Sequence, residues 1–305
     1  MIAWLVAGQG AEHAGMGLEL ARSYPPAAAL WEQASEAAGK DLRHLTEVGG
    51  RSLLRTEHLQ PALTAVALGA AAFLLDEGLE PSLALGHSAG EVGALALAGH
   101  LSFEDACSLS ANRGRVMASV ACARPGGMAA VRGSRERARE VVEHGGKAGA
   151  IFDAGQTTEE THLVTGDRAA LRAAASLEGV SPLPVSGPWH SPLMEQAVAE
   201  LRPLAESRIG DASGATSWVS SETAEHGPAD AQEATALLLS QLTRPMNLHD
   251  AIQHVLREGA DEMVILGPHH ILRHILAHHL EAHLHVRIHG TASLQELQTV
   301  VKELA

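Results

Sequence analysis

The residues with the clearest chemical potential are Gly86-His87-Ser88-Ala89-Gly90, a G-x-S-x-G pentapeptide. A short apolar run, Ser82 to Leu85, precedes it, and Glu91 to Ala98, rich in helix formers, follows. Strand, sharp turn and helix in that order lift a serine hydroxyl above a sheet, because small flanking residues permit a turn too tight for larger ones. The free N–H groups opening the helix point at the same spot, where they can hold the negative oxygen of a tetrahedral intermediate. The chemistry implied is acyl transfer through a serine ester. The pentapeptide alone suits lipases and esterases equally well.

A serine needs a base, and the chain offers 19 histidines, too many to choose among by count. His190 stands in Val185-Ser186-Gly187-Pro188-Trp189-His190-Ser191-Pro192-Leu193-Met194, between an expected strand and an expected helix. Such a loop can hold a side chain rigidly, although taken alone a loop histidine has no special claim. His270, His274 and His278 recur at i, i+4 and i+8 and would share one helix face. They lack the H-E-x-x-H arrangement of a zinc hydrolase, read as exposed polar residues, and no metal is expected. Cys107 and Cys122 form no CxxC pattern and read as small hydrophobes rather than a disulfide or zinc pair.

The elements that must position this chemistry begin with a strand from Ile2 to Ala7, ending in Gly8-Gln9-Gly10. Helical spacing dominates from Ala11 to about Gly78, and an amphipathic helix capped by Ser102 runs to Val120. Composition changes at Pro125-Gly126-Gly127. Beyond it the pattern predicts strand 128–132, helix 134–144, strands 148–152 and 162–165, helix 167–177 and strand 183–186. That β-α-β-β-α-β order matches a ferredoxin-like unit. A helix over 193–207, a strand near 217–220 and a last apolar strand over 263–266 follow. The expected architecture is α/β: a large α/β-hydrolase-like domain with a parallel central sheet (residues 1–125 and 191–305), and an inserted ferredoxin-like small domain (126–190).

Several separated motifs fall in one register: Gln9-Gly10, Gly86-His87-Ser88-x-Gly90-Glu91, Asn112-Arg113-Gly114 with Met117, Gly127-Met128, Val185-Ser186-Gly187 up to His190-Ser191-Pro192-Leu193-Met194, Gln241-Leu242 with Pro245, and Gly267-Pro268. In this the chain resembles the malonyl-CoA:acyl carrier protein transacylases, from about residue 4 to about residue 276. The resemblance implies a malonyl group carried from coenzyme A, by way of an acyl-serine, to the phosphopantetheine thiol of an acyl carrier protein. Ser88 would be the nucleophile and His190 the general base, a dyad rather than a triad. Gln241 would orient the imidazole through its main-chain carbonyl, leaving its side chain less critical, and the N–H groups of Gln9 and Ala89 would form the oxyanion hole. Arg113 would pair with the free malonyl carboxylate through two parallel hydrogen bonds, with Gln60, Trp189 and His87 nearby in the substrate site. No bound cofactor is implied; malonyl-CoA is substrate, the carrier protein is partner, and the enzyme is a monomer.

Three departures bear on which acyl group is taken. Trp189 precedes the histidine where the family has Phe or Ser, which should shrink the pocket and disfavour a methylmalonyl unit, while Ala89 returns some space. Asp153, in Ile151-Phe152-Asp153-Ala154-Gly155, would oppose a malonyl carboxylate if near the acyl site. Ile265-Leu266-Gly267-Pro268 lacks the family's acidic residue before Gly-Pro.

The 305 residues carry 22 basic and 36 acidic side chains, a net charge of -14, which excludes a phosphate-backbone binder. An acidic carrier protein would then need a local basic patch, for which Arg132, Arg135, Arg137 and Arg139 are one candidate and a solvated helix face the other reading. The start, MIAWLVAGQG, reads as a strand rather than a leader, and no stretch approaches the roughly 20 apolar residues of a membrane span. A cytoplasmic protein is expected. A thioester hydrolase on the same scaffold and an idle carrier-binding protein are the rival readings. Fatty-acid, polyketide and malonate-decarboxylase pathways all accommodate the main one.

Overall fold

The computed structural model describes residues 1–281 and 283–305, and in it the short apolar runs become strands. In chain order these are β1 (Ile2–Val6), β2 (Leu83–Gly86), β3 (Gly126–Arg132), β4 (Ile151–Thr158), β5 (Thr161–Asp167), β6 (Val180–Pro182), β7 (Ser217–Val219), β8 (Met246–Asn247), β9 (Glu262–Leu266) and β10 (Arg287–Gly290). The first sheet runs β10-β9-β1-β2-β7, every neighbouring pair parallel. Parallel neighbours need crossovers, whose helices cover the sheet, so its central strands are apolar on both faces. Accordingly Ala3–Val6 and Met263–Leu266 are buried residue by residue.

The run at 263–266 is not the last strand, because β10 pairs with β9 beyond it. Its sequence, Arg287-Ile288-His289-Gly290, carries two polar side chains, as an edge strand tolerates, and so escapes a search for apolar runs. The membrane expectation also needs correction. The helix Thr56–Asp76 has 21 residues and is apolar enough to cross a bilayer by length and composition. It is mostly buried and packs between the helices Pro25–Ala38 and Phe103–Ala123, so its apolar character serves the core. The helix Phe103–Ala123 starts where expected, with the Ser102 hydroxyl accepting from the Asp105 N–H.

The second sheet runs β6-β3-β5-β4-β8. Its first four strands are antiparallel neighbours, and β8, from outside residues 126–190, adds parallel to β4. Side chains alternate across it. Ala129, Val131 and Val164 join Val141 and Ala170 beneath the helices Arg135–Gly146 and Arg168–Ala174. Met128, Ala130 and Leu163 face the other way, onto a cavity shared with the first sheet. The strand expected over 183–186 is absent: β6 ends at Pro182, and Pro184 has no N–H to continue a ladder. Leu183 still donates to the Met128 carbonyl at 2.9 Å, after which the chain leaves the sheet and lines the cavity.

Candidate active site

Ser88 sits on the turn that leaves β2, with φ 53. A side chain rarely adopts this left-handed conformation, and its neighbours explain how it is held. A Cβ on Gly86 would come within 2.3 Å of the Glu91 backbone, and one on Gly90 within 2.2 Å of the Val6 carbonyl oxygen. The turn is therefore pressed against the end of β1, to which the His87 N–H also donates at 3.0 Å through Val6. Residues Ser88–Gly90 make a 3-10 turn that continues as the helix Glu91–Leu97. The Ala89 N–H opens that turn and has no acceptor within it. Gln9, from the loop after β1, lines the same cavity as Ser88.

His190 arrives from the loop after β6, also with positive φ, 57. The Ser191 hydroxyl donates to the Pro188 carbonyl at 2.6 Å and fixes that loop before the turn Pro192–Met194. The imidazole Nε2 lies 2.8 Å from Ser88 Oγ, and Nδ1 lies 2.8 Å from the Gln241 carbonyl oxygen. A carbonyl can only accept, so Nδ1 carries the proton and Nε2 offers its lone pair to the serine hydroxyl. Burial pushes the imidazole down to about 4, with Arg113 and His87 adding to the effect and the Gln241 carbonyl opposing it. The ring is neutral at pH 7, as a base must be.

Behind the histidine lies a buried polar layer. The Gln241 side chain accepts from Arg113 Nη2 at 3.2 Å and donates to the Glu91 carboxylate and to Ser221 Oγ at 3.1 Å. The side chain expected to be less critical is thus fully engaged: its amide bridges a buried cation to a buried carboxylate. Arg113, 1% exposed, also donates from Nη1 to Gln60 Oε1 at 2.6 Å. Gln60 is itself held through its amide by Thr56 Oγ1 at 2.8 Å. Two of the five guanidinium N–H groups are thus engaged, and Nε–H has no partner among the described residues. Burial lowers Arg113 to about 10, which leaves it charged at neutral pH.

Glu91 belongs to the elbow motif, but the sequence assigns it no role. Its carboxylate accepts from Ser220 Oγ at 2.9 Å, Ser221 Oγ at 2.5 Å and the Ser221 N–H at 3.3 Å. Burial pushes it up to about 7, against the lowering effect of the serine bonds. The available signal was an acidic residue heading an otherwise apolar helix, where solvent could not have been its partner.

The cavity holds about 320 Å³, and its wall includes Ser88, His190, His87, Gln9 and Trp189. Burial pushes the His87 imidazole down to about 4. The Trp189 ring is packed so closely on Gly187 that a Cβ there would lie 2.2 Å from it. Among the described residues Arg113, Gln60 and Gln241 are not on the wall; they stand behind it. Asp153 is not there either: it is exposed, accepts from the Gly155 N–H at 2.8 Å, and faces a separate depression with Arg135 and His162. The carboxylate that does reach the cavity is Glu12, which accepts from the Gly10 N–H at 2.6 Å. Of the candidate basic patch, Arg137 pairs with Glu140 and Arg139 faces Glu136, while Arg135 donates to the neutral Gln156 side chain. His274 and His278 stack edge to face at 4.9 Å and line a larger polar cavity that shares Thr161 with the first.

Residues 3–298 match the model of the acyl transferase domain family. The chain is 30% identical over 280 residues to the malonyl CoA-acyl carrier protein transacylase of Bacillus subtilis (strain 168), covering 89% of this chain and 88% of that one. It is 32% identical over 281 residues to polyketide synthase GfsB of Streptomyces halstedii, covering 88% of this chain but 5% of that protein. Its fold superposes on MCAT from Streptococcus pneumoniae with a TM-score of 0.88 at 27% identity, over 100% of both chains.

Proposed function

The chain belongs to the acyl transferase domain family, and from that membership we propose that it moves a malonyl group from coenzyme A to the phosphopantetheine thiol of an acyl carrier protein. The observation that carries the reading is the Ser88–His190 contact at 2.8 Å with the imidazole tautomer set by the Gln241 carbonyl. Ser88 attacks the malonyl thioester as Nε2 of His190 takes its proton, and the N–H groups of Gln9 and Ala89 receive the developing oxyanion. The imidazolium returns its proton to the coenzyme A thiolate, and the carrier thiol then reverses the sequence on the malonyl-serine ester. Glu91 acts on this chemistry only as a positioning residue, through Gln241.

Arg113 is the proposed partner of the malonyl carboxylate. In its favour are a buried charge and three unspent N–H donors, one step behind the residues that line the cavity. The proposed organisation is a catalytic domain of residues 1–125 and 191–305 of α/β-hydrolase-like type, with residues 126–190 as a ferredoxin-like small domain closing over the cavity. It works as a monomer in the cytoplasm, where its coenzyme A substrate is made available, with the carrier protein as partner.

The test is incubation with malonyl-, methylmalonyl- and acetyl-CoA, intact-mass measurement of the trapped adduct, and then addition of phosphopantetheine-bearing carrier protein with its thiol free. Malonyl on Ser88 that passes to the carrier is the expected result. Release of free malonate faster than transfer would make it a hydrolase, and absence of any adduct would make it an idle carrier-binding protein.

A further inference from the structure

Away from the catalytic serine, three side chains converge with the geometry of metal ligands. His254 lies on the helix Leu248–Arg257, Glu258 is that helix's C-terminal cap one turn on, and His226 comes from the turn after β7, bridged to Val219. One potential ligand atom from each lies within 4.8 Å of the others. His226 Nε2 stands 3.8 Å from one Glu258 carboxylate oxygen, and His254 Nε2 stands 3.9 Å from the other. Tetrahedral ligands around zinc at 2.0–2.1 Å are about 3.3 Å apart, so small rotations of two exposed side chains close the gap.

A second, independent observation points the same way. His254 is 8% exposed, and its Nε2 is buried with no hydrogen-bond partner among the described residues. A buried ring nitrogen left without a partner is costly unless something occupies its lone pair. Its other nitrogen, Nδ1, faces Glu225 Oε2 at 3.5 Å. A carboxylate behind one ring nitrogen fixes the tautomer that leaves the other free to bind a metal.

We propose that His226, His254 and Glu258 bind one divalent transition-metal ion, zinc by the chemistry of a two-imidazole, one-carboxylate set, with Glu225 behind His254. The ion ties the turn 219–226 to the end of the helix Leu248–Arg257. The same turn carries Ser220 and Ser221, which hold Glu91, so the metal is structural and stiffens the backing of the catalytic layer without touching substrate. The proposal stands independently of the acyl-transfer reading.

The experiment is a zinc titration of the full chain against a chromogenic chelator, with a parallel thermal melt. The comparison includes His226→Ala and Glu258→Gln, both at exposed positions, and a His274→Ala/His278→Ala double variant of the second histidine-rich cavity. One tight equivalent per chain is expected in the parent and the double variant, with a melting shift of roughly 4 °C at a hundredfold excess over Kd. That equivalent and the melting shift should vanish in His226→Ala and in Glu258→Gln. A tight equivalent retained in both single variants, its loss in the double variant, or no tight equivalent in the parent would each overturn the assignment.

Discussion

Ser88 Oγ and His190 Nε2 meet at 2.8 Å across 102 positions of sequence, and both residues hold left-handed backbone, φ 53 and φ 57. Two strained non-glycine residues facing each other concentrate the strain at the proposed dyad.

That strain ranks two inactive variants. Ser88→Ala keeps a Cβ in the left-handed region, whereas Ser88→Gly relieves it and loses only the entropy of a freer unfolded chain. Neither should form a malonyl adduct, and denaturant unfolding should find Ser88→Gly more stable than Ser88→Ala by about 1 kcal/mol. The reverse ranking would mean that the elbow relaxes when its hydroxyl is removed.

Arg113 should set acyl preference. Removing it leaves the side-chain Oε1 atoms of Gln60 and Gln241 without this donor and deprives a malonyl carboxylate of its proposed partner. Arg113→Ala should lower malonyl transfer at least 100-fold, on the order of 3 kcal/mol, while acetyl transfer holds or rises. Arg113→Lys should restore charge but not the planar fork, recovering little malonyl selectivity. Parallel loss with malonyl- and acetyl-CoA would leave the arginine a purely structural role.

How far the sequence reaches is clear from particular residues. The elbow was legible because Gly86 and Gly90 are demanded by backbone approach, a requirement that residue type alone expresses. His190 and Arg113 needed the resemblance, since nothing local separates one loop histidine from 18 others in a chain of 19. Asp153 enters only through the resemblance, as a departure that would matter near the acyl site; the structure puts it on an exposed position where β4 slips register, a placement that no local pattern announces. Glu91 receives no role beyond its place in the elbow motif, and the Gln241 side chain ranks below its main chain, because the contact between them spans 150 positions and is invisible to local spacing.

Trp189 should exclude a branched unit by volume. Its ring lines the cavity and is braced by Gly187, so it cannot retreat. Trp189→Phe removes part of the ring while keeping an aromatic wall, and should raise methylmalonyl relative to malonyl transfer by roughly tenfold, the scale of one methyl group in a fitted pocket. Competition between the two thioesters, read as the mass of the Ser88 adduct, checks it. An unchanged ratio would move the size filter elsewhere on the wall.

Glu91 offers a test through pH, with a sign that separates it from His190. The imidazole is pushed below its ordinary 6.5 to about 4, so the folded state binds fewer protons than the unfolded one between those values and loses stability as pH falls. The Glu91 carboxyl is pushed above its ordinary 4.5 to about 7, so there the folded state binds more protons, and stability falls as pH rises through that window. The distance between 4.5 and about 7 corresponds to on the order of 3 kcal/mol. Glu91→Gln removes only the second contribution, and its unfolding free energy relative to the parent should therefore climb between pH 5 and pH 8 by up to that amount. Because the Gln241 amide donates to Glu91 while its carbonyl holds His190, the same variant should slow acylation about tenfold and flatten any rate change near pH 7. Parallel stability curves for the two proteins would mean that Arg113, reaching Glu91 through Gln241, keeps the carboxylate ionised throughout, and that the layer behind the histidine is a relayed ion pair rather than a buried acid.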